Sequence, residues 1–169
     1  ELHTHTAILA DLQGPKIRVG NLDHPILLKK DSFIYFNTNK NKKEDIFISY
    51  SNFPKDVTKG DRVLLDDGKL SLEVEETNSR DRVKLKVVFG GELKSNKGVN
   101  LPNTKISLPC LTKKDKEDLT FILEEKIEWI GLSFVRSSED VGKLKKIIKK
   151  HKKLKALVIA KIEKPEAIE

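Results

Sequence analysis

The 169 residues contain no methionine, a single cysteine, a single tryptophan and only 6% aromatic side chains. One thiol, Cys110, excludes an internal disulfide framework, suits a reducing compartment and reads as a small core filler. Without methionine, residue 1 is not a natural translation start, so the chain reads as a piece of a longer protein. No apolar run approaches the roughly 20 residues that cross a bilayer, and Glu1-Leu2-His3-Thr4-His5 lacks the basic and apolar zones of a secretory signal. These absences argue against a membrane partner and for a cytoplasmic location.

What is present describes a globular chain, with 37% hydrophobic and 35% charged residues. The net charge of +7 raises nucleic acid or phosphorylated ligands as partners. Eight of the lysines fall between Lys143 and Lys155, spaced around Leu144, Ile147, Ile148 and Leu154 at helical intervals. That pattern is an amphipathic helix with a solvated face. Phosphate-tracking surfaces add aromatic stacking platforms, and none is interleaved here, so no nucleic-acid partner is assigned.

Three textures follow one another. Residues 6 to 12, Thr-Ala-Ile-Leu-Ala-Asp-Leu, form the near-continuous apolar run of a buried parallel strand. From Lys16 to about Ile106 the signals are β only, in short runs at 16–19, 26–28, 33–36, 46–49, 62–65, 70–75 and 83–89. Their even spacing predicts a compact antiparallel barrel or sandwich, with a hairpin reversing at Asp67-Gly68. After Leu108-Pro109 helix and strand alternate. Thr112-Lys113-Lys114-Asp115 resembles a capping box opening a helix to about Lys126, and 129–134 is a strand. Ser137-Ser138-Glu139-Asp140 repeats the start signal, 157–162 is another strand, and Pro165 begins a further helix. The fold class is therefore α/β plus all-β: a continuous β block inserted into a discontinuous β/α domain, with Gly14-Pro15 as the exit and Leu101 to Pro109 as the return.

Parallel strands deliver functional side chains at their carboxyl ends. Here those ends carry Asp11, then Ser133 with Arg136 beyond it, then Lys161-Ile162-Glu163. Strand alternation puts Lys161 and Glu163 on one face about 7 Å apart. That suits a metal ion between Glu163 and an anionic substrate, with Lys161 facing developing negative charge; a plain surface ion pair is the alternative. Asp11 equally suits capping the turn that follows it, and Lys16 and Arg18 suit an exposed strand face. His3 and His5 share a strand face but lack a third ligand. Trp129 and the phenylalanines read as core, Lys94 and Lys105 as solvated.

Six strings, "DLQGPKIRVG" (11–20), "LLDDGKLSLEV" (64–74), "GGELKSNKGVNLP" (90–102), "LTKKDKEDLTF" (111–121), "GLSFVRSSEDV" (131–141) and "VIAKIEKPEAIE" (158–169), resemble the pyruvate kinase family in order and spacing. The resemblance implies phosphoryl transfer from phosphoenolpyruvate to ADP, giving pyruvate and ATP, with Mg²⁺ and K⁺ as cofactors. It also implies a small antiparallel β-barrel inserted in a partial (β/α)₈ barrel. Residues 1–15 would then be barrel strand three, 16–105 the lid, and 106–169 β/α units four and five. On the same basis Lys161 stabilises charge on the transferring phosphoryl group and the enolate, and Glu163 is a Mg²⁺ ligand. Asp11 helps hold K⁺, and Leu12, where many relatives have threonine, contributes through its backbone carbonyl. Arg18 touches phosphate oxygens, Lys97 reaches the nucleotide from the lid, Asp67 faces the cleft, and Ser133 lies near the substrate. Some relatives have a second lysine at the position of Asn96. The second Mg²⁺ carboxylate and the other K⁺ contacts fall outside these residues, so the chain alone is expected to be inactive within an active homotetrameric parent. A basic β-barrel module binding nucleic acid or a protein partner is the reading from another class.

Overall fold

The computed structural model describes residues 6–151, 156–163 and 165–168. Contacts divide the chain into two compact units, Glu1–Pro15 with Leu108–Glu169, and Lys16–Ser107. The elements run β1 (Leu9–Leu12), β2 (Ile26–Leu28), β3 (Phe33–Asn37), β4 (Ile46–Phe47), α1 (Phe53–Asp56), β5 (Arg62–Leu65), β6 (Leu70–Thr77), β7 (Arg82–Phe89), β8 (Gly91–Leu93), β9 (Val99–Asn100), α2 (Lys113–Glu124), β10 (Trp129–Leu132), α3 (Ser138–Lys150), β11 (Leu157–Ala160) and a 3₁₀ turn at Pro165–Ala167. Among the described residues no helix is long and apolar enough to cross a membrane.

In the first unit β1, β10 and β11 form a parallel sheet in that order, with Asp11 beside Gly131 and Leu132 beside Ala160. Alternation sends Leu12, Ile130 and Leu132 to one face, where they pack with Leu119, Ile122 and Leu123 of α2 and Leu144 and Ile148 of α3. The apolar run at 6–12 was expected to be buried throughout; only Leu9–Leu12 forms a strand, and Ile8 and Leu9 are 59% and 52% exposed. The physical reasons differ: Ile8 precedes the strand, and Leu9 lies on the face opposite Leu12, which the helices do not cover. Leu157 and Ile159 are exposed in the same way.

The capping box at α2 is present: Asp115 N–H donates to Thr112 Oγ1 at 3.1 Å, and Thr112 N–H donates to Asp115 Oδ2 at 2.8 Å. The second start signal works differently. Ser137 makes no side-chain cap bond; instead Asp140 accepts the Arg136 N–H at 3.3 Å. On α3 Leu144 and Ile148 are buried, while Lys143, Lys145, Lys146, Lys149 and Lys150 are exposed, as a solvated face requires. Residues 152–155 of the expected stripe lie outside the described residues, as do His3 and His5.

In the second unit the strands form a six-stranded sheet, order β4-β3-β7-β6-β5-β9, and a separate β2-β8 ladder. The expected antiparallel pattern holds except between β3 and β4, which pair in parallel through Phe36 and Ile46. The run at 16–19 is not a strand. It makes two isolated bridges, Arg18 to Gly98 and Val19 to Ile48, with Val19 N–H bonded to Lys97 O at 2.9 Å and Gly20 N–H to Phe47 O at 2.8 Å. One short segment thus pairs next to β9 on one side and β4 on the other, the two edges of the sheet. The segment is also not purely β: Phe53–Asp56 makes a helical turn, because Pro54 presets the helical φ and Phe53 is fully buried. Phe36 and Phe53 are core, as expected of phenylalanine, but Phe33, Phe89 and Phe121 are exposed and Trp129 is half-buried. Phe33 lies instead beneath the Lys84 ammonium, 4.2 Å from its ring centre.

Candidate functional site

The first unit assembles its polar residues where its three parallel strands end. A glycine at 131 leaves room for Asp11: a Cβ there would stand 2.9 Å from Asp11 Oδ1. Lys161, just past β11, lies 2.8 Å from Asp11 Oδ2 and 3.1 Å from Oδ1. Its ammonium also donates to Ser133 Oγ at 3.0 Å. The single proton of that hydroxyl goes to Leu12 O at 2.7 Å, the shorter of its two contacts, and Asp11 Oδ1 stands 3.3 Å away. Glu163 completes the group. Its Oε2 accepts the Phe134 N–H at 2.9 Å, and its Oε1 is 3.9 Å from Lys161 Nζ.

Two features show how tightly this rim is held. Phe134 has φ 55°, a left-handed backbone costly for an aromatic residue, and Glu163 holds its N–H. Lys161 has its pKa raised, first by the hydrogen bond to Asp11, so it is a fixed cation at neutral pH and not a proton acceptor. Of the sequence-derived candidates, Asp11, Leu12, Ser133, Lys161 and Glu163 therefore meet. The closest charge partner of Lys161 is Asp11, not Glu163.

Glu163 suits a divalent cation, since one oxygen is oriented by a backbone donor and the other, among the described residues, faces only the Lys161 ammonium 3.9 Å away. For K⁺, Asp11 and the Leu12 carbonyl bring oxygen donors to the rim; here both Asp11 oxygens accept from Lys161, and Leu12 O accepts from the Ser133 hydroxyl with a second lone pair left over. Among the described residues no three His, Cys, Asp or Glu side chains cluster as metal ligands.

The second unit carries Arg18, Lys97 and Asp67. Arg18 Nη1 donates to Asn96 O at 2.8 Å. Lys97 Nζ pairs with Asp66 Oδ1 at 2.8 Å, and Asp66 Oδ2 takes Lys69 at 3.3 Å. Lys97 is the first cause holding the Asp66 carboxyl below its usual range. The reversal between β5 and β6 places Asp66, Asp67 and Gly68 in left-handed conformations, φ 49°, 57° and 87°. Asp67 sits exposed at that tip. Sequence reasoning missed Asp66; its signal was the Asp-Asp pair, with Asp66 N–H bonded to Gly98 O at 3.1 Å beside the lysine it neutralises.

Comparison with known proteins shows the family. A family model described as "Pyruvate kinase, barrel domain" matches residues 1–169. The chain is 45% identical to "Pyruvate kinase 2" of Synechocystis sp., over 99% of this chain and 29% of that protein. It is 41% identical to a pyruvate kinase of Thermotoga maritima, over 96% of this chain and 35% of that one. The crystal structure of a pyruvate kinase from Cryptosporidium parvum superposes with a TM-score of 0.85 at 34% identity, covering 95% of this chain and 34% of that chain. The chain thus spans about a third of the length of these relatives. With the match running from the first residue to the last, and the polar strand ends gathered at one rim, the chain belongs to the pyruvate kinase family.

Proposed function

We propose that this chain supplies part of the active site of a full-length enzyme that transfers a phosphoryl group from phosphoenolpyruvate to ADP. The observation that carries the reading is the convergence of Asp11, Ser133, Lys161 and Glu163 at the carboxyl ends of β1, β10 and β11. In the reaction a β-phosphate oxygen of ADP bonds to phosphorus, the bond from phosphorus to the enol oxygen breaks, and the enolate takes a proton at carbon to give pyruvate. Little covalent work falls to the protein, so positioning and charge neutralisation dominate. Lys161 neutralises charge on the transferring group and on the enolate oxygen. Asp11 and Ser133 orient it, and its raised pKa keeps it cationic throughout. Glu163 is the residue that would hold Mg²⁺, which when bound neutralises phosphoryl oxygens. Asp11 and the Leu12 carbonyl are the groups here that would help hold K⁺, and no step is assigned to that ion.

In the same reading residues 1–15 and 106–169 are pieces of the (β/α)₈ barrel and 16–105 are the β-barrel lid. Support for a closed lid barrel comes from the Arg18–Val19 segment, which bridges to both edges of the six-stranded sheet. Arg18 and Lys97 contact phosphates, Lys97 exchanging Asp66 for the nucleotide, and Asp67 faces the substrates from its turn. The parent enzyme works in the cytoplasm as a homotetramer. A coupled assay of pyruvate release tests the reading: the full-length enzyme turns over and Lys161→Ala does not, while the isolated 169 residues are inactive. Turnover that survives Lys161→Ala overturns it.

A further inference from the structure

The chain leaves the first unit after Pro15 and returns to it at Leu108. One carboxylate of that unit touches the chain beside both points. Asp115 is fully buried, with 0% of the residue exposed. Its Oδ1 accepts the Gly14 N–H at 3.0 Å, and its Oδ2 accepts the Thr112 N–H at 2.8 Å and the Thr112 hydroxyl at 2.6 Å. Neither oxygen has a cation within ion-pair distance among the described residues. A buried carboxylate without a cation persists only when hydrogen bonds replace its hydration.

Helix capping does not call for this burial, because a solvated cap serves a helix N-terminus equally well. The bond to Gly14 is what capping leaves unexplained. Gly14 has φ +68° and is wedged against the rim: a Cβ on it would stand 2.9 Å from Phe134 Cδ2 and 3.2 Å from Ser133 Cβ. Two residues earlier, Leu12 O receives the Ser133 hydroxyl, and Asp11 holds Lys161. The turn from Asp11 to Gly14 is therefore fastened at Leu12 by Ser133 and at Gly14 by Asp115.

We propose that Asp115 is a positioning residue for the phosphoryl transfer, holding Asp11 and Ser133 in place against Lys161 through the Gly14 amide. The inference rests on the reaction proposed above. Its test uses three variants of the full-length enzyme. Asp115→Glu keeps the carboxylate and a capping-box residue but moves its oxygens away from Gly14. It should lower Tm, through the extra buried methylene and the lost Gly14 bond, and also lower kcat about 10²-fold, the scale of a misplacement near 1 Å. Thr112→Ala removes the cap hydroxyl and keeps the Gly14 bond, so Tm falls while kcat stays within about twofold. Asp115→Asn retains Oδ1 for Gly14 and gives up the second acceptor; it should follow Thr112→Ala. Hydrogen exchange of the peptide spanning 9–14 should accelerate in Asp115→Glu and not in Thr112→Ala.

A kcat loss in Thr112→Ala or Asp115→Asn as large as in Asp115→Glu overturns the inference, as does unchanged exchange at 9–14 in Asp115→Glu. If Asp115→Glu does not fold, the kcat of Asp115→Asn decides, and a tenfold or greater loss there is fatal. A parent enzyme that releases no pyruvate sinks the proposed reaction instead, and the exchange comparison then decides the fastening of Gly14 by itself.

Discussion

The two units hold their functional charges in opposite ways. In the first, Lys161 reaches Asp11, 150 residues away, and Ser133, 28 residues away, at the ends of strands whose register is set by a parallel ladder. Each member has more than one partner, and backbone groups of Leu12 and Phe134 take part. In the second, the cations sit on or beside turns and each has a single strong contact: Arg18 with one carbonyl, Lys97 with one half-buried carboxylate. Parallel strand ends concentrate side chains from distant parts of a chain and preorganise them. Hairpin turns present one charge at a time, held by pairs that water and salt weaken. The first arrangement suits charge stabilisation at the reacting atoms; the second suits groups that exchange a protein partner for a ligand.

The sharpest way to break this contrast is kinetic. Lys161→Ala in the full-length enzyme should lower kcat on the order of 10²–10³-fold, the cost of losing a preorganised electrostatic group. Lys97→Ala should instead raise the KM for ADP about tenfold with a smaller change in kcat, because it removes binding common to ground and transition states. Initial-rate kinetics over both substrates distinguishes the two, and equal kcat losses would erase the distinction. Between these in size lies a stability test. Leu132→Ala in the first core and Leu72→Ala in the second each delete a fully buried side chain, and each should cost about 3 kcal/mol by denaturant unfolding.

The smallest effect concerns pH. Burial pushes the Cys110 thiol up from 9.0 to about 11, with Asp140 adding to the shift. A raised folded-state pKa means the contribution to stability is complete below pH 9 and is lost as pH rises toward 11. Folded protein should resist thiol reagents at pH 8, and Cys110→Ala should flatten the stability loss between pH 9 and 11. Lys161 has the same sign, so its contribution is lost only as pH rises past the ordinary lysine range.

Much of this site was legible in the residues. Apolar runs ending in Asp11, Ser133 and Lys161-Ile162-Glu163 marked three strand ends, and Thr112-Lys113-Lys114-Asp115 marked the start of α2. The run at 16–19 misled because its alternation is genuine, yet Arg18 and Val19 make only isolated bridges to different neighbours. Phe53–Asp56 falls between the expected β runs and carries no helical signal of its own, because a four-residue helical turn is too short for a 3.6-residue period to show.

The residue pattern by itself determined which side chains point to the same face, where helices begin, and that a β block interrupts a β/α chain, since alternation, capping and turn chemistry act over a few residues. Only the tertiary structure decided that Lys161 pairs with Asp11 and that Asp115 holds Gly14, 101 positions away. Those contacts depend on strand order and register, which local periodicity leaves open because it fixes a face and not a neighbour.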